Sequence, residues 1–201
     1  MKTSKRLYLV ILITIIMILT SMNIAQAMPY SPYALNYSYP ITYYSSMYFS
    51  NETRAGQYNV IWRWNDAIGV GCDLLFISSV EHDNPNNYPT QNWCSAIYSL
   101  NRGAAYQAQN TIFYYYYSST PTSGVIYESD INYNCYFPLS NYGASGCWDV
   151  ESLFVHEVGH TVGLDHPTDY SENTVMWAVP QGSIRRIPSS TDYYYAYYRY
   201  H

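Results

Sequence analysis

The stretch HEVGHTVGLDH, residues 156–166, decides how this sequence is interpreted. His156 and His160 stand four residues apart, so a helix would place both imidazoles on one face. Gly163 allows a left-handed turn after that helix, and the chain can then bring His166 back to the same point. Three neutral imidazoles and one open position are expected of a catalytic zinc site, whereas a structural site is closed by a fourth protein ligand.

Glu157 follows the first histidine of this motif, where its carboxylate can reach a water on the metal rather than the metal itself. A carboxylate placed in this way can act as the general base of a metal-assisted hydrolysis. Three of the chain's 5 histidines fall within this motif, each where a ligand is required. A helix with unrelated surface histidines is therefore the weaker interpretation.

The residues around the motif predict a single α+β domain. Asp149 is a good N-cap residue, and the apolar residues after it follow a helical period, so the motif helix should run from Val150 to Thr161 or Val162. Two aromatic, β-branched runs joined by a turn at 120–124 predict a β-hairpin. The predicted elements are strands at 40–48, 73–78, 111–117 and 125–133, helices at 51–68 (capped by Asn51), 150–161 and 190–201, and loops at 83–92 and 138–146.

The spacing of the histidines matches the extended zinc signature of the metzincin clan. The chain resembles that clan over about residues 40–201, although the specific motifs lie within 125–177. The sequence NTVMW, residues 173–177, resembles the Met-turn, whose methionine lies beneath the metal. Met176 would be that residue, with an ordinary core methionine as the alternative. The segments 149–155 and 128–134 resemble small secreted matrixins, and the second is similar to the strand edge against which matrixins lay their substrate.

This resemblance implies a zincin/metzincin-like catalytic domain with a small mixed β-sheet, an active-site helix and a C-terminal helix. It implies a matrixin-like zinc metalloendopeptidase that acts on protein or peptide substrates, with Glu157 as the catalytic base. The specificity pocket would be lined by residues 178–188, whose Arg185 and Arg186 are expected to face solvent. The zinc ligands would be His156, His160 and His166.

Several residues depart from the matrixin pattern. Pro167 follows the third histidine, as in the serralysins, where matrixins usually carry Ser or Thr. Ala178 stands where serralysins and astacins have a tyrosine ligand. Only His82 lies upstream of the motif, so a second, structural zinc site is not expected, and the inhibitory cysteine motif of matrixin propeptides is missing. Structural Ca²⁺ at an acidic cluster such as Asp149 and Glu151 is left open.

The first 27 residues have the pattern of a secretory signal peptide. A basic start precedes an apolar stretch from Leu7 to Leu19, and an Ala-x-Ala pattern follows at 25–27. The apolar stretch is short for a membrane span, which needs about 20 residues. We therefore expect a secreted protein without stable membrane insertion, and anchoring through residues 7–24 is the alternative.

Export also determines how the four cysteines are interpreted. An even number of cysteines outside the cell predicts two disulfides, and pairing of sequence neighbours, Cys72–Cys94 and Cys135–Cys147, closes the shortest loops. Four zinc-binding thiolates are a weaker alternative because the chain has no C-x-x-C spacing.

The composition is low in charge and rich in tyrosine. Only 11% of the 201 residues are charged, and 27 are tyrosine. Removal of residues 1–27 would leave 6 basic and 14 acidic residues, a net charge of −8, which argues against a nucleic-acid partner. Residues 28–201 would form one catalytic domain, with 28–50 extended or loosely ordered.

The tyrosines support two further hypotheses. Exposed aromatic side chains suit contacts with carbohydrate or protein, so a non-catalytic zinc-binding secreted surface or adhesion protein is the alternative function. A surface built from tyrosine would also depend little on ionisation for its solubility, and would therefore tolerate an acidic medium.

Overall fold

The computed structural model describes residues 30–36, 40–47, 49–69, 73–78, 92–97, 106–116, 124–168 and 173–201, with only the backbone described for 92–97. The strands are β1 (Tyr33–Ala34), β2 (Ile41–Ser45), β3 (Leu75–Ile77), β4 (Asn92–Ile97), β5 (Ala108–Tyr116), β6 (Gly124–Asn134), β7 (Leu139–Ser140) and β8 (Trp148–Asp149). The helices of these ranges are α1 (Asn51–Ile68), α2 (Val150–Thr161) and α3 (Ser190–Tyr200). The domain is therefore mixed α+β.

Strands β1 to β6 form one mixed sheet. The order β1-β6-β4-β2-β3 is parallel throughout, and β5 pairs antiparallel with β6. Because β5 follows β6 along its whole length, β1 and β4 must occupy the opposite edge of β6. Strand β5 thus forms an edge of the sheet among the described strands. Side chains on β5 alternate between exposed and partly buried, as expected for a strand with one face on the core.

The helices cover one side of this sheet. Helix α1 packs against α2 and α3, and α2 packs against β5 and β6. The buried Trp64 side chain of α1 donates from Nε1 to the Val155 carbonyl of α2 (2.9 Å). Asn65 of α1 exchanges two hydrogen bonds with the Leu75 backbone of β3 (2.7 and 3.0 Å). These polar bonds fix α1 against both the sheet and α2.

Most of the elements predicted from local pattern are confirmed. Helix α2 spans Val150–Thr161 with Asp149 as N-cap, and α1 ends at Ile68 as expected, although Ser50 rather than Asn51 caps it. The antiparallel β5–β6 pair confirms the predicted hairpin strands. Strand β4 and the two-residue strands β1, β7 and β8 were not predicted. Most of the predicted loop at 83–92 lies outside the described residues.

The predicted Cys135–Cys147 disulfide is wrong. Both cysteines are free thiols. The Cys135 sulfhydryl is directed at the Tyr133 carbonyl (Sγ···O 3.9 Å), and burial raises its pKa. The ends of the segment between these cysteines are joined instead by backbone pairing of β7 with β8. Cys72 and the side chain of Cys94 lie outside the described residues, as does the predicted signal peptide. Among the described helices, none is long and apolar enough to span a membrane.

Candidate metal centre and catalytic cleft

Helix α2, which carries the first two histidines, is fixed at its N-terminus by Asp149. The Asp149 carboxylate is fully buried and accepts from the Ser152 backbone N–H (2.9 Å) and the Ser152 hydroxyl (2.7 Å). Arg186 donates to both oxygens of the same carboxylate, from Nη2 (2.6 Å) and Nε (3.0 Å). The helix start is therefore joined to the segment that follows the predicted Met-turn.

The end of α2 turns the chain back toward the first two histidines. Gly163 has φ +89°, a conformation that side chains rarely adopt, and a Cβ there would lie 2.8 Å from the Tyr33 carbonyl. The Gly163 N–H donates to the His160 carbonyl (2.9 Å), which closes the turn. As a result, His166 returns to the face of α2 that carries the other two imidazoles.

The three imidazoles converge on one point. The Nε2 atom of His166 lies 3.1 Å from Nε2 of His156 and 3.2 Å from Nε2 of His160. All three candidate ligand atoms lie within 4.8 Å of one another. Two nitrogens bound to a tetrahedral zinc ion at about 2.05 Å would be about 3.3 Å apart. Both Nε2 distances from His166 are close to this value.

Hydrogen bonds on the opposite ring nitrogens fix the tautomers. His156 Nδ1 lies 2.9 Å from the Val175 carbonyl, and His160 Nδ1 lies 2.9 Å from the Leu164 carbonyl. A carbonyl oxygen can only accept, so both Nδ1 atoms carry the proton and both Nε2 lone pairs are free to bind a metal.

The electrostatic environment keeps two of these rings neutral. Burial, followed by the neighbouring His160, lowers the pKa of His156 to about 3. Burial also lowers the pKa of His160. Metal binding requires neutral imidazole, so both rings are available as ligands across the physiological pH range. His166 is the exposed member of the group.

Glu157 lies beside the histidines in a buried position. Burial raises the pKa of the Glu157 carboxyl to about 8, and a hydrogen bond from the Asn110 backbone N–H opposes this increase. A nearby positive charge would stabilise the ionised form, and a zinc ion at the three histidines would supply one. The carboxyl group is thus poised to take and release a proton.

Met176 lies beneath the same part of α2. Its side chain is fully buried, and a Cβ added at Gly159 would collide with the Met176 sulfur. Gly159 stands directly before His160, so the absence of a side chain there allows Met176 to approach the helix. The neighbouring Val175 supplies the carbonyl that holds His156. The structure therefore brings the 173–177 segment to the histidines.

A cleft of about 400 Å³ runs between the edge strand β5 and helix α2. One wall is the chain from Tyr106 to Asn110, and the floor includes the three histidines and Glu157. The prediction that residues 128–134 form the strand edge is wrong, because β6 is paired with β5 on one edge and with β4 on the other. Strand β5, the preceding strand of the hairpin, is the edge that faces the cleft.

Residues 178–188, which follow the predicted Met-turn, do not line a single pocket as expected. Ala178 and Val179 line the cleft, whereas residues 184–188 line another cavity of about 710 Å³ that shares no lining residue with it. Arg186 does not face solvent freely, because it is paired with the buried Asp149 carboxylate.

The acidic cluster considered for Ca²⁺ is already neutralised by arginines. Arg186 pairs with Asp149 (2.6 Å) and lies 3.5 Å from Glu151, and Arg63 pairs with Glu151 (2.7 Å). We therefore place no calcium ion at these two carboxylates.

Serralysin from Proteus mirabilis is similar to this chain. The two are 29% identical over 110 residues, which cover 54% of this chain and 21% of serralysin. The chain therefore spans about a fifth of the length of this relative. No protein-family model matches the chain.

One contributor to the cleft was missed by sequence reasoning. Asn110 reaches Glu157 from the edge strand, and its Nδ2 group donates to the Glu157 carbonyl (2.7 Å). No motif marks this residue, because the contact depends on how β5 is placed over α2. Only a correct assignment of β5 as the edge strand would have identified it.

Proposed function

We propose that this protein is a secreted zinc-dependent metalloendopeptidase of the metzincin clan. The observation that carries the proposal is the convergence of three Nε2 lone pairs in a cleft that also contains a buried glutamate. His156, His160 and His166 would hold the zinc ion, and Glu157 would be the catalytic base. Secretion rests on the signal-peptide pattern of residues 1–27.

Two resemblances bear on the place of the chain within the clan. The segment 149–155 supports the matrixin-like placement, whereas Pro167 and the similarity to serralysin favour the serralysins. Met176, packed against Gly159, would be the methionine of the Met-turn.

The zinc ion and Glu157 would have different roles in peptide hydrolysis. A bound zinc ion would polarise the scissile carbonyl and make a water attached to it more acidic. Glu157 takes the proton from the attacking water and then donates it to the leaving amine. Burial keeps the Glu157 carboxyl away from bulk water, and a zinc ion at the three histidines would favour the ionised form that accepts the proton.

The edge strand would bind the substrate backbone. Strand β5 presents an unpaired edge among the described strands, and its start lines the cleft. An extended peptide can pair with such an edge through main-chain hydrogen bonds. This places a scissile bond over the three histidines without requiring a particular side chain, so we propose protein and peptide substrates in general.

Substitution of Glu157 tests the catalytic assignment. Glu157→Gln removes the base but no zinc ligand, so we expect zinc content to stay at one equivalent per chain. Casein hydrolysis should fall by a factor of about 100 to 10,000, the range that general-base catalysis contributes. Glu128→Gln is the matched control, because Glu128 is equally buried (7% exposed, as is Glu157) but lies outside the cleft.

The alternative function predicts a different outcome of the same assay. A non-catalytic surface or adhesion protein would bind zinc yet leave casein intact, with or without a chelator. The exposed tyrosines motivate this alternative, and a zinc-loaded wild-type protein without peptidase activity would favour it. Full activity of Glu157→Gln would instead reject the assignment of the base.

A further inference from the structure

A buried polar cluster lies behind the cleft, where β2, β5, β6 and α2 meet. It consists of Tyr43, Asn110, Ser129 and Thr161. The Tyr43 hydroxyl lies 2.8 Å from Ser129 Oγ and 2.7 Å from Thr161 Oγ1, and these two oxygens are 2.8 Å apart. Three of the four side chains have no exposed surface, namely Tyr43, Ser129 and Thr161.

The orientation of the Asn110 amide is fixed by its bond to the Glu157 carbonyl, and the cluster holds the amide in that position. Ser129 Oγ donates to Asn110 Oδ1 (2.9 Å). The Asn110 Nδ2 group then donates to Thr161 Oγ1 (2.8 Å) and to the Glu157 carbonyl (2.7 Å). A carbonyl can only accept, so the opposite orientation of the amide would lose the bond to Glu157.

Asn110 therefore ties Glu157 to the edge strand through its side chain. Its Nδ2 group donates to the Glu157 main-chain carbonyl and thereby joins β5 to the residue that carries the carboxylate. Asn110 belongs to the edge strand, whereas Glu157 belongs to α2. Both residues line the cleft, while the hydroxyl groups behind them do not.

We propose that Asn110 is a positioning residue that sets the distance between the edge strand and the Glu157 carboxylate. The inference rests on the proposed function, in which β5 holds the peptide backbone and Glu157 acts on the water that attacks it. A displacement of about 1 Å between such groups costs about 100-fold in rate. Ser129 and Thr161 act through Asn110, because their hydroxyl groups hold the two ends of its amide in place.

The sharpest test changes Thr161, which does not line the cleft. Thr161→Val keeps the shape of the side chain and removes the hydroxyl, whereas Thr161→Ser keeps the hydroxyl and removes a methyl group. We expect Thr161→Val to lower kcat on a peptide substrate by about 10-fold or more. KM and zinc content should change less than twofold, and Thr161→Ser should restore most of kcat.

Asn110→Asp is a second variant, and it changes the bond between Asn110 and the Glu157 carbonyl directly. It replaces the Nδ2 donor with an oxygen facing the Glu157 carbonyl, so the bond becomes a repulsion. We expect a larger loss of kcat than in Thr161→Val. Hydrogen exchange of the Asn110 backbone amide gives a readout independent of turnover: exchange should be slow in the wild type and Thr161→Ser, and faster in Thr161→Val and Asn110→Asp.

The outcomes separate this inference from the proposed function. Unchanged kcat and unchanged amide exchange in Thr161→Val would overturn the positioning role. If both Thr161 variants lose kcat, zinc content and thermal stability together, the cluster only stabilises the fold. That result would also overturn the positioning role. If the wild type itself shows no zinc-dependent peptidase activity, the proposed function fails, while the amide-exchange comparison still decides whether the cluster holds Asn110.

Discussion

The Nε2 atoms of the three histidines lie close together at the centre of the site, and this contact is unfavourable without a cation. Lone pairs on Nε2 atoms 3.1 and 3.2 Å apart repel one another unless a proton or a cation lies between them. Burial opposes the protonation of His156 and His160, since it lowers the pKa of both rings. A divalent cation therefore relieves this arrangement more effectively than a proton does.

Removal of the exposed ligand should abolish tight metal binding. His166→Ala leaves two imidazoles on α2, and we expect zinc affinity to fall by more than about 100-fold, since even loss of an outer-shell partner costs 10- to 100-fold. His201→Ala is the control, because His201 stacks on Tyr197 (ring centroids 4.2 Å) at the end of α3. Competition with a chromogenic chelator measures both affinities, and equal affinities would contradict the assignment of His166.

The residues of this site differ in how far the sequence specifies them. The spacing of the histidines and Glu157 within one helix and one turn is local, so the periodicity of a helix predicts their placement. The role of Asn110 depends on pairing between β5 and β6 and on packing over α2. The periodicity of a sequence does not predict such long-range contacts.

At the scale of the elements, the start of helix α2 is stabilised by a buried ion pair between Asp149 and Arg186. The Asp149 carboxylate is fully buried, and it caps the helix while it pairs with Arg186. Burial by itself would raise the pKa of Asp149, but hydrogen bonds from Arg186 and Ser152 outweigh it and hold that pKa below the ordinary value of 3.8. Helix α2 is therefore stabilised by a group that must stay ionised.

Asp149→Asn tests this dependence on charge. Asparagine can still cap the helix, but Arg186 loses its charged partner, so we expect the free energy of unfolding at pH 7 to fall by about 3 kcal/mol. Because the folded-state pKa is depressed, the stabilisation is present above the unfolded-state pKa and is lost as the pH falls through the folded-state value. The difference between wild type and variant should therefore shrink below pH about 4.

Urea unfolding at several pH values measures this difference. The control is Asp73→Asn at an exposed site, which should change stability by less than about 0.5 kcal/mol. A difference between wild type and Asp149→Asn that stays constant from neutral to acidic pH would contradict the charge-based explanation.

The elements that the sequence predicted are those with local signals. Helices α1, α2 and α3 have capping residues, and the hairpin strand β5 contains a run of consecutive aromatic residues. Strand β4 was missed because its segment NWCSAI pairs in parallel with distant strands and carries no turn signal of its own. The disulfide prediction relied on loop length alone, which does not determine whether two sulfurs meet.

At the scale of the whole molecule, the two ends of the described chain hold the site together. The N-terminal segment pairs with the turn after α2, through Tyr30 with Leu164 and through Ser31 N–H with the Gly163 carbonyl (3.0 Å). Arg199 of α3 donates to the Ser31 carbonyl (2.6 Å) from the other side. The turn that carries His166 is therefore enclosed by segments that are far apart in sequence.

The tyrosine content divides into two structural roles. Some tyrosines are buried in the core, as are Tyr43, Tyr133 and Tyr195. Others form the exposed surface, including neighbouring rings on the outer face of α3. Among the residues that the structure describes, the exposed tyrosines are Tyr30, Tyr58, Tyr115, Tyr136, Tyr142, Tyr194, Tyr197 and Tyr198. Polar hydroxyl groups thus cover part of a surface that has few charges.

Removal of exposed hydroxyls should lower solubility where the net charge is smallest. Exposed phenol hydroxyls hydrogen-bond to water, and this hydration does not depend on the net charge of the protein. The double variant Tyr194→Phe/Tyr198→Phe should therefore be severalfold less soluble near pH 5.4, the isoelectric point, with little change in melting temperature. Tyr195→Phe, a buried change on the same helix, should leave solubility unaltered. Precipitation of the wild type at that pH would contradict a surface that stays soluble through its tyrosines rather than its charges.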